Sequence, residues 1–67
     1  MSVAKVIEIN ASSSQGLEAA VQQGLSKAAE SITRIKGAWV NEITVVTADD
    51  GKVTEWRVNM KINFIVD

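Results

Sequence analysis

Cysteine and histidine are both absent from this chain of 67 residues. Without cysteine no disulfide can form, and without either residue a zinc site of the usual Cys/His kind is excluded. The same absences remove the commonest general base and the thiol nucleophile. Three consecutive serines, Ser12, Ser13 and Ser14, have no candidate base at a recognisable spacing. We therefore expect a protein that is not an enzyme.

Charge of one sign and long apolar runs are also scarce. Seven basic and eight acidic residues are dispersed along the chain and leave a net charge of −1. No basic run could neutralise nucleic-acid phosphates, and no apolar run approaches the ~20 residues of a membrane span. The first residues lack the basic region and apolar core of a signal peptide. We expect no nucleic-acid or membrane partner and a cytoplasmic location.

The short chain has few ways to become stable. Residues 1–67 make one domain, and a domain of this size buries only about 60% of the surface of its unfolded chain. Small domains usually add disulfides, a metal or oligomerisation. Since disulfides and a Cys/His metal site are excluded, self-association is the expected device, apart from hard cations bound by carboxylates.

The strongest pattern lies at the end of the chain, in Val53–Val66. Apolar and polar residues alternate there with a period of two, which predicts a β-strand with one dry and one polar face. The polar face carries Glu55, Arg57, Asn59, Lys61 and Asn63. Fourteen residues would span roughly 45 Å, against about 5–6 residues in a usual strand. Such a strand curls around another element or extends into a partner subunit.

The start of the chain predicts a strand followed by a helix cap. Residues 1–10 contain a strand in which both faces are largely apolar. The serine run then interrupts the alternation, and Ser12 or Ser13 is predicted to cap a helix because a hydroxyl can accept from a free backbone N–H.

A period of 3.6 from residue 14 to residue 36 predicts one long helix. Its apolar stripe is rich in small residues, and Gly24 within the stripe indicates close packing on a sheet, since glycine costs about 1 kcal/mol in a helix interior. Gly37 is predicted to end the helix at positive φ.

A second strand is predicted over residues 39–48, followed by a turn at 49–52 that contains Asp-Gly. Alternation places Trp39 on one face with Asn41 and Ile43. Trp39 could pack under the helix end, fill an interface or stack on a planar ligand. The predicted fold is α+β, with order β-α-β-β and a three-stranded antiparallel sheet curved around one helix. The polar sheet face is then left for partners or ligand.

The chain as a whole resembles the dodecin family. The resemblance lies in the segments 5–9, 16–21, 24–28 and 56–64, together with the length and the β-α-β-β order. It implies a hollow homododecamer of cubic symmetry that binds and stores flavin and is not an enzyme. Dodecins hold pairs of flavins at subunit interfaces, stacked on tryptophan. Some members bind coenzyme A, and ion sites occur in the shell.

The resemblance also defines the candidate cofactor-binding residues, Gly37, Trp39 and Arg57. Gly37 stands where flavin-binding members have the stacking tryptophan, and Trp39 lies two residues later on the same predicted face. Arg57 replaces the glutamine that holds the flavin ring edge, and arginine has no acceptor for a ring N–H. Flavin, with FMN expected and riboflavin or FAD as other forms, would stack on Trp39 with polar contacts from Arg57. Two alternatives stay open: another anionic or planar ligand held by Arg57, or a shell without flavin that holds ions or a cofactor such as coenzyme A.

Overall fold

The computed structural model describes residues 3–66, which form one helix and three strands. In chain order these elements are β1 (Val3–Ser13), α1 (Leu17–Ala28), β2 (Ile35–Thr47) and β3 (Val53–Val66). The sheet order is β1-β3-β2, with both pairings antiparallel. The predicted β-α-β-β fold is confirmed. The predicted first strand began at Met1, which lies outside the described residues.

Strand β3 is the centre of the sheet and has the bounds that its alternation predicted. Its apolar side, which faces α1 and is called the inner face here, buries Val58, Met60 and Ile62 almost completely. The opposite side, called the outer face, carries the polar residues of β3. The described chain is elongated, with extents of 53 × 19 × 13 Å. A helix of twelve residues spans only about 18 Å, so it covers part of this sheet.

Helix α1 lies close to the sheet because its contact face is made of small residues. Ala20 and Gly24 are buried in that face. A Cβ atom at Gly24 would lie 2.7 Å from Met60 Cε and 2.9 Å from Ala11 Cβ, so the predicted close packing is observed. The helix packs on β1 and β3.

The inner face of β2 extends past the helix. Val40, Ile43 and Val45 point to this side and are 43–54% exposed. They form an apolar strip, called the β2 strip here, along an edge strand of the sheet.

The helix is shorter than its periodicity predicted. We expected residues 14–36, whereas α1 spans Leu17–Ala28. Ile32 and Ile35 match the helical stripe, but both are β-branched and so fit a strand at least as well. Ile35 pairs with Phe64, at the far end of β3. Pairing with the long strand β3 therefore places the last residues of the predicted helix in β2. Strand β2 begins four residues before its predicted start at Trp39.

The predicted role of Gly37 at the helix end is wrong. Gly37 lies inside β2 and pairs with Asn63. The positive φ that reverses the chain before β2 belongs to Arg34, at 63°. The carbonyl of Arg34 accepts a hydrogen bond of 3.1 Å from the backbone N–H of Ile65, which ties this turn to β3.

The predicted serine caps are also wrong. Ser12 and Ser13 belong to β1, which continues past the predicted end at Asn10 because it keeps pairing with β3. Ser13 is buried, and its hydroxyl accepts a hydrogen bond of 3.0 Å from the backbone N–H of Gln15. The residue before the helix is Gly16, with φ of 144° and no side-chain cap.

Strand β2 contains a bulge that changes the faces predicted for it. Trp39 pairs with Lys61, whereas Glu42 pairs with Asn59, so β2 carries one extra residue between these pairs. Directly opposed residues of antiparallel strands share a face. Trp39 and Glu42 therefore both lie on the outer face, although they are three residues apart.

The bulge makes the predicted grouping of Trp39 with Ile43 wrong. Ile43 pairs with Val58 and so lies on the inner face. Asn41, the bulged residue, stays on the outer side, where its side-chain amide donates to Asn59 Oδ1 at 3.1 Å. The grouping of Trp39 with Asn41 is confirmed.

The turn between β2 and β3 forms as predicted. The backbone N–H of Gly51 donates to the carbonyl of Ala48 at 2.9 Å, and Gly51 has φ of 87°. The backbone N–H of Lys52 donates to Asp50 Oδ1 at 3.0 Å. This turn fixes the antiparallel return of β3.

Candidate ligand-binding site

A hollow of about 410 Å³ opens on the outer face, across all three strands. Pockets that bind small molecules usually have about 300–1,000 Å³, so this hollow has the size of a ligand site. Its polar lining includes Ser12, Glu42, Thr44, Glu55, Arg57 and Asn59. Arg57 lies at the centre, since it pairs with Ser12 of β1 and with Thr44 of β2.

A carboxylate accompanies the arginine in this hollow. Glu55 Oε2 lies 3.5 Å from Arg57 Nη2, and the two side chains are 33% and 57% exposed. A hydrogen bond from Ser12 holds the pKa of the Glu55 carboxyl below its ordinary value, and the charge of Arg57 acts in the same direction, against the effect of burial. Glu55 is therefore an ionised acceptor at neutral pH.

A network of amides borders the hollow on the side nearer the middle of β3. The amide nitrogen of Asn59 donates to Glu8 Oε2 at 2.9 Å and to Asn10 Oδ1 at 3.0 Å. Its oxygen accepts from Asn41 at 3.1 Å. The two N–H donors of Asn59 are thus used within the sheet. The network joins the three strands and fixes their polar side chains.

The two tryptophans have different surroundings. Trp39 is 56% exposed on the outer face of β2, whereas Trp56 is partly buried on the inner face of β3. Trp39 is opposite Lys61, which is four residues beyond Arg57 along β3. At about 3.3 Å per residue, Trp39 and Arg57 are about 13 Å apart along the strand direction. An indole and a guanidinium therefore share one face without lying side by side.

Within residues 3–66, no three acidic, histidine or cysteine side chains come together in a group that could hold a metal ion. In the same residues, no helix combines the length and apolar character needed to cross a membrane.

The family model described as Dodecin matches residues 3–67. This chain belongs to the dodecin family. Dodecins are binding and storage proteins rather than enzymes. A comparison with curated proteins found no match.

Solved dodecin structures share the fold over nearly the whole chain. An arginine-to-alanine variant of the Thermus thermophilus dodecin is 30% identical, with a TM-score of 0.91 over 100% of this chain and 98% of that chain. The dodecin of Streptomyces davaonensis is 26% identical, with a TM-score of 0.89 over 98% and 96% of the two chains. A calcium dodecin of Mycobacterium tuberculosis, described with a calcium-binding site, is 28% identical, with a TM-score of 0.81 over 97% and 91%.

The three residues predicted to bind cofactor in this dodecin all lie on the outer face, but they do not form one cluster. Gly37 and Trp39 pair with Asn63 and Lys61, two residues apart on β3, so their positions adjoin. A Cβ atom at Gly37 would meet Asn63 Nδ2 at 3.5 Å, an ordinary contact. Arg57 lies further along β3, in the hollow. A ligand that contacts both Trp39 and Arg57 must span this separation or be shared by two protomers.

Sequence reasoning gives no site role to several residues of the hollow, among them Ser12 and Glu55. The serine run predicts Ser12 as a helix cap, and the alternation of β3 places Glu55 on the polar face without a role. A signal for Ser12 was present, because Glu8, Asn10 and Ser12 continue the polar alternation of β1 past its predicted end. For Glu55 the signal was its position two residues before Arg57, on the same strand face.

Proposed function

We propose that this dodecin binds and stores flavin, with FMN as the form we expect. The observation that carries the proposal is the exposed indole of Trp39 on the outer face of an edge strand. A large aromatic side chain on a polar sheet face contributes nothing to the core of its own protomer. It offers a planar apolar surface on which a flat heteroaromatic ring can stack.

The hollow around Arg57 suits the polar edge of such a ring. A guanidinium supplies several donors in a fixed plane, which match ring carbonyl oxygens. The size and polar lining of the hollow fit this role. Flavin would bring a planar chromophore, and stacking on Trp39 would quench its fluorescence and shorten its excited state.

We further propose that the protein is a homododecamer and that protomers share the ligand between them. The β2 strip supports assembly, because Val40, Ile43 and Val45 leave apolar surface uncovered beside an unpaired strand edge. The separation of Trp39 and Arg57 supports a shared site, since two protomers could each contribute one of the two groups. The location we propose is the cytoplasm.

A fluorescence titration of FMN with the purified protein tests the proposal. We expect strong quenching that saturates near one flavin per protomer. Trp39→Ala should weaken binding by about tenfold or more, taking about 1–3 kcal/mol for stacking of a planar base on an aromatic side chain as the guide. Light scattering on the same sample should give twelve protomers, with or without FMN.

The second tryptophan provides a matched control. Trp56→Phe removes the indole on the inner face and should leave FMN quenching unchanged. Equal affinity in Trp39→Ala and wild type would refute stacking on Trp39. An intact dodecamer that does not quench FMN would refute flavin storage.

A further inference from the structure

The Arg57–Glu55 pair places a hydrogen-bond acceptor beside the donors of the guanidinium, which an arginine alone would not provide. The contact of 3.5 Å is long for an ion pair, since N⁺–H···O⁻ bonds are usually about 2.7–2.9 Å. It engages only Nη2 of a group that has five N–H donors. The guanidinium therefore keeps donors for a ligand while the carboxylate stays next to it.

A second strand also acts on Glu55. Ser12 of β1 pairs with Arg57 across the two strands, and a hydrogen bond from Ser12 is the main cause that lowers the pKa of the Glu55 carboxyl. This contact helps to keep the carboxyl ionised, and an ionised carboxyl only accepts hydrogen bonds. Donor and acceptor groups thus lie beside each other in the same hollow.

Other acceptors in the hollow are less suited to this task. The oxygen of Asn59 already accepts from Asn41, within the network that joins the strands. Glu42 lies on β2, where it pairs with Asn59 of β3, and so it is diagonally across from Arg57 rather than on the same strand. Glu55 is the carboxylate that the structure places in contact with the guanidinium.

A neighbouring donor and acceptor match one ligand feature in particular, a ring edge on which a carbonyl adjoins an N–H. We propose that Glu55 is a specificity-determining residue that accepts the N–H of a ring imide while Arg57 donates to the adjacent carbonyl. The inference rests on the proposed flavin function, because the flavin ring contains such an imide. In this arrangement two charged side chains supply the hydrogen-bond donor and the acceptor, whereas one neutral amide side chain would supply both.

The experiment compares FMN with FMN methylated at the imide nitrogen, which keeps the planar ring and the phosphate but has no N–H to donate. For wild type we expect FMN to bind at least about tenfold tighter, as loss of a hydrogen bond to a charged group implies. Glu55→Ala should weaken FMN binding by about the same factor and bring the ratio of the two affinities close to one. Binding is read from flavin quenching and, independently, by calorimetry.

Glu18→Ala is the control, because it removes an exposed carboxylate from α1, outside the hollow, and should keep the wild-type ratio. Glu55→Gln is the second variant, which preserves the shape of the side chain. It should fold even if Glu55→Ala does not, and it should show a reduced ratio because its neutral carbonyl is a weaker acceptor.

The outcomes separate the inference from the proposed function. If wild type binds FMN and the methylated analogue equally, flavin binding stands and the role of Glu55 is refuted. If Glu55→Ala or Glu55→Gln keeps the full wild-type ratio, the role is refuted as well. If wild type binds neither compound, the proposed function fails and the inference fails with it.

Discussion

Replacing Gly24 with alanine tests the close packing between α1 and the sheet. The added Cβ would lie 2.7 Å from Met60 Cε, 2.9 Å from Ala11 Cβ and 3.2 Å from Ile9 Cδ1. Met60 can move its terminal methyl group. The Ala11 methyl group is attached directly to the backbone of β1 and can move only with that strand. The substitution therefore requires a shift of the helix relative to the sheet.

Two opposing terms decide the size of the effect. Glycine to alanine within a helix stabilises by about 1 kcal/mol, whereas overpacking a well-filled core costs about 1–3 kcal/mol. We expect Gly24→Ala to destabilise the protein by about 1 kcal/mol net, taking the middle of that range. For a domain of this size, that change lowers Tm by about 4–8 °C.

The assay is thermal or urea unfolding at one fixed protein concentration, since assembly would make Tm depend on concentration. Gln23 is the exposed neighbour of Gly24 on α1. The difference between Gln23→Ala and Gln23→Gly then gives the propensity term in this same helix. Subtracting it from the effect of Gly24→Ala isolates the steric cost.

A stabilised Gly24→Ala variant that matches the propensity term would refute the close packing. The cause of a destabilisation can be checked by combining Gly24→Ala with Ala11→Gly, which removes the less movable of the two nearest methyl groups. The two substitutions should be less harmful together than the sum of their separate effects. Additive effects would show that the contact with Ala11 does not carry the cost.

Three further substitutions probe the outer face, the uncovered inner face and the charged pair. Gly37→Trp should be accommodated, because a Cβ there makes only ordinary contact with Asn63, and it should strengthen FMN quenching; weaker quenching would contradict an outer-face ring site. Ile43→Lys places a charge on the β2 strip and should give smaller particles by light scattering with an unchanged circular dichroism spectrum; particles of wild-type size would argue against an interface there. The pKa of Glu55 is lowered by Ser12 and Arg57, so its carboxylate contributes stability that is complete above the unfolded pKa and lost as pH falls through the folded one. The stability difference between wild type and Glu55→Gln should therefore shrink from neutral pH to about pH 3, and a difference that grows with acid would contradict the assignment.

The order of the elements was predictable, because a sustained alternation of polar and apolar residues fits a strand and does not fit a helix. In β3 the polar and apolar residues alternate from Glu55 to Phe64, and the observed bounds of the strand, Val53–Val66, are those predicted. The end of α1 was not predictable from periodicity. Ile32 and Ile35 satisfy the helical stripe, and only the pairing of Ile35 with Phe64 assigns the second of them to a strand. A contact between residues far apart in the chain thus overrides the local pattern.

The location of Trp39 relative to the hollow depends on the bulge in β2. If β2 continued without its extra residue, Trp39 and Glu42 would lie on opposite faces, because side chains alternate strictly along a strand. The extra residue Asn41 places both on the outer face, and its amide contact with Asn59 is satisfied there. Neither Asn41 nor either of its neighbours is a glycine or a proline, which would mark such a bulge in the sequence. This one extra residue therefore decides whether the exposed indole of Trp39 and the charged hollow lie on the same face of the sheet. It can be recognised only from the register of β2 against β3.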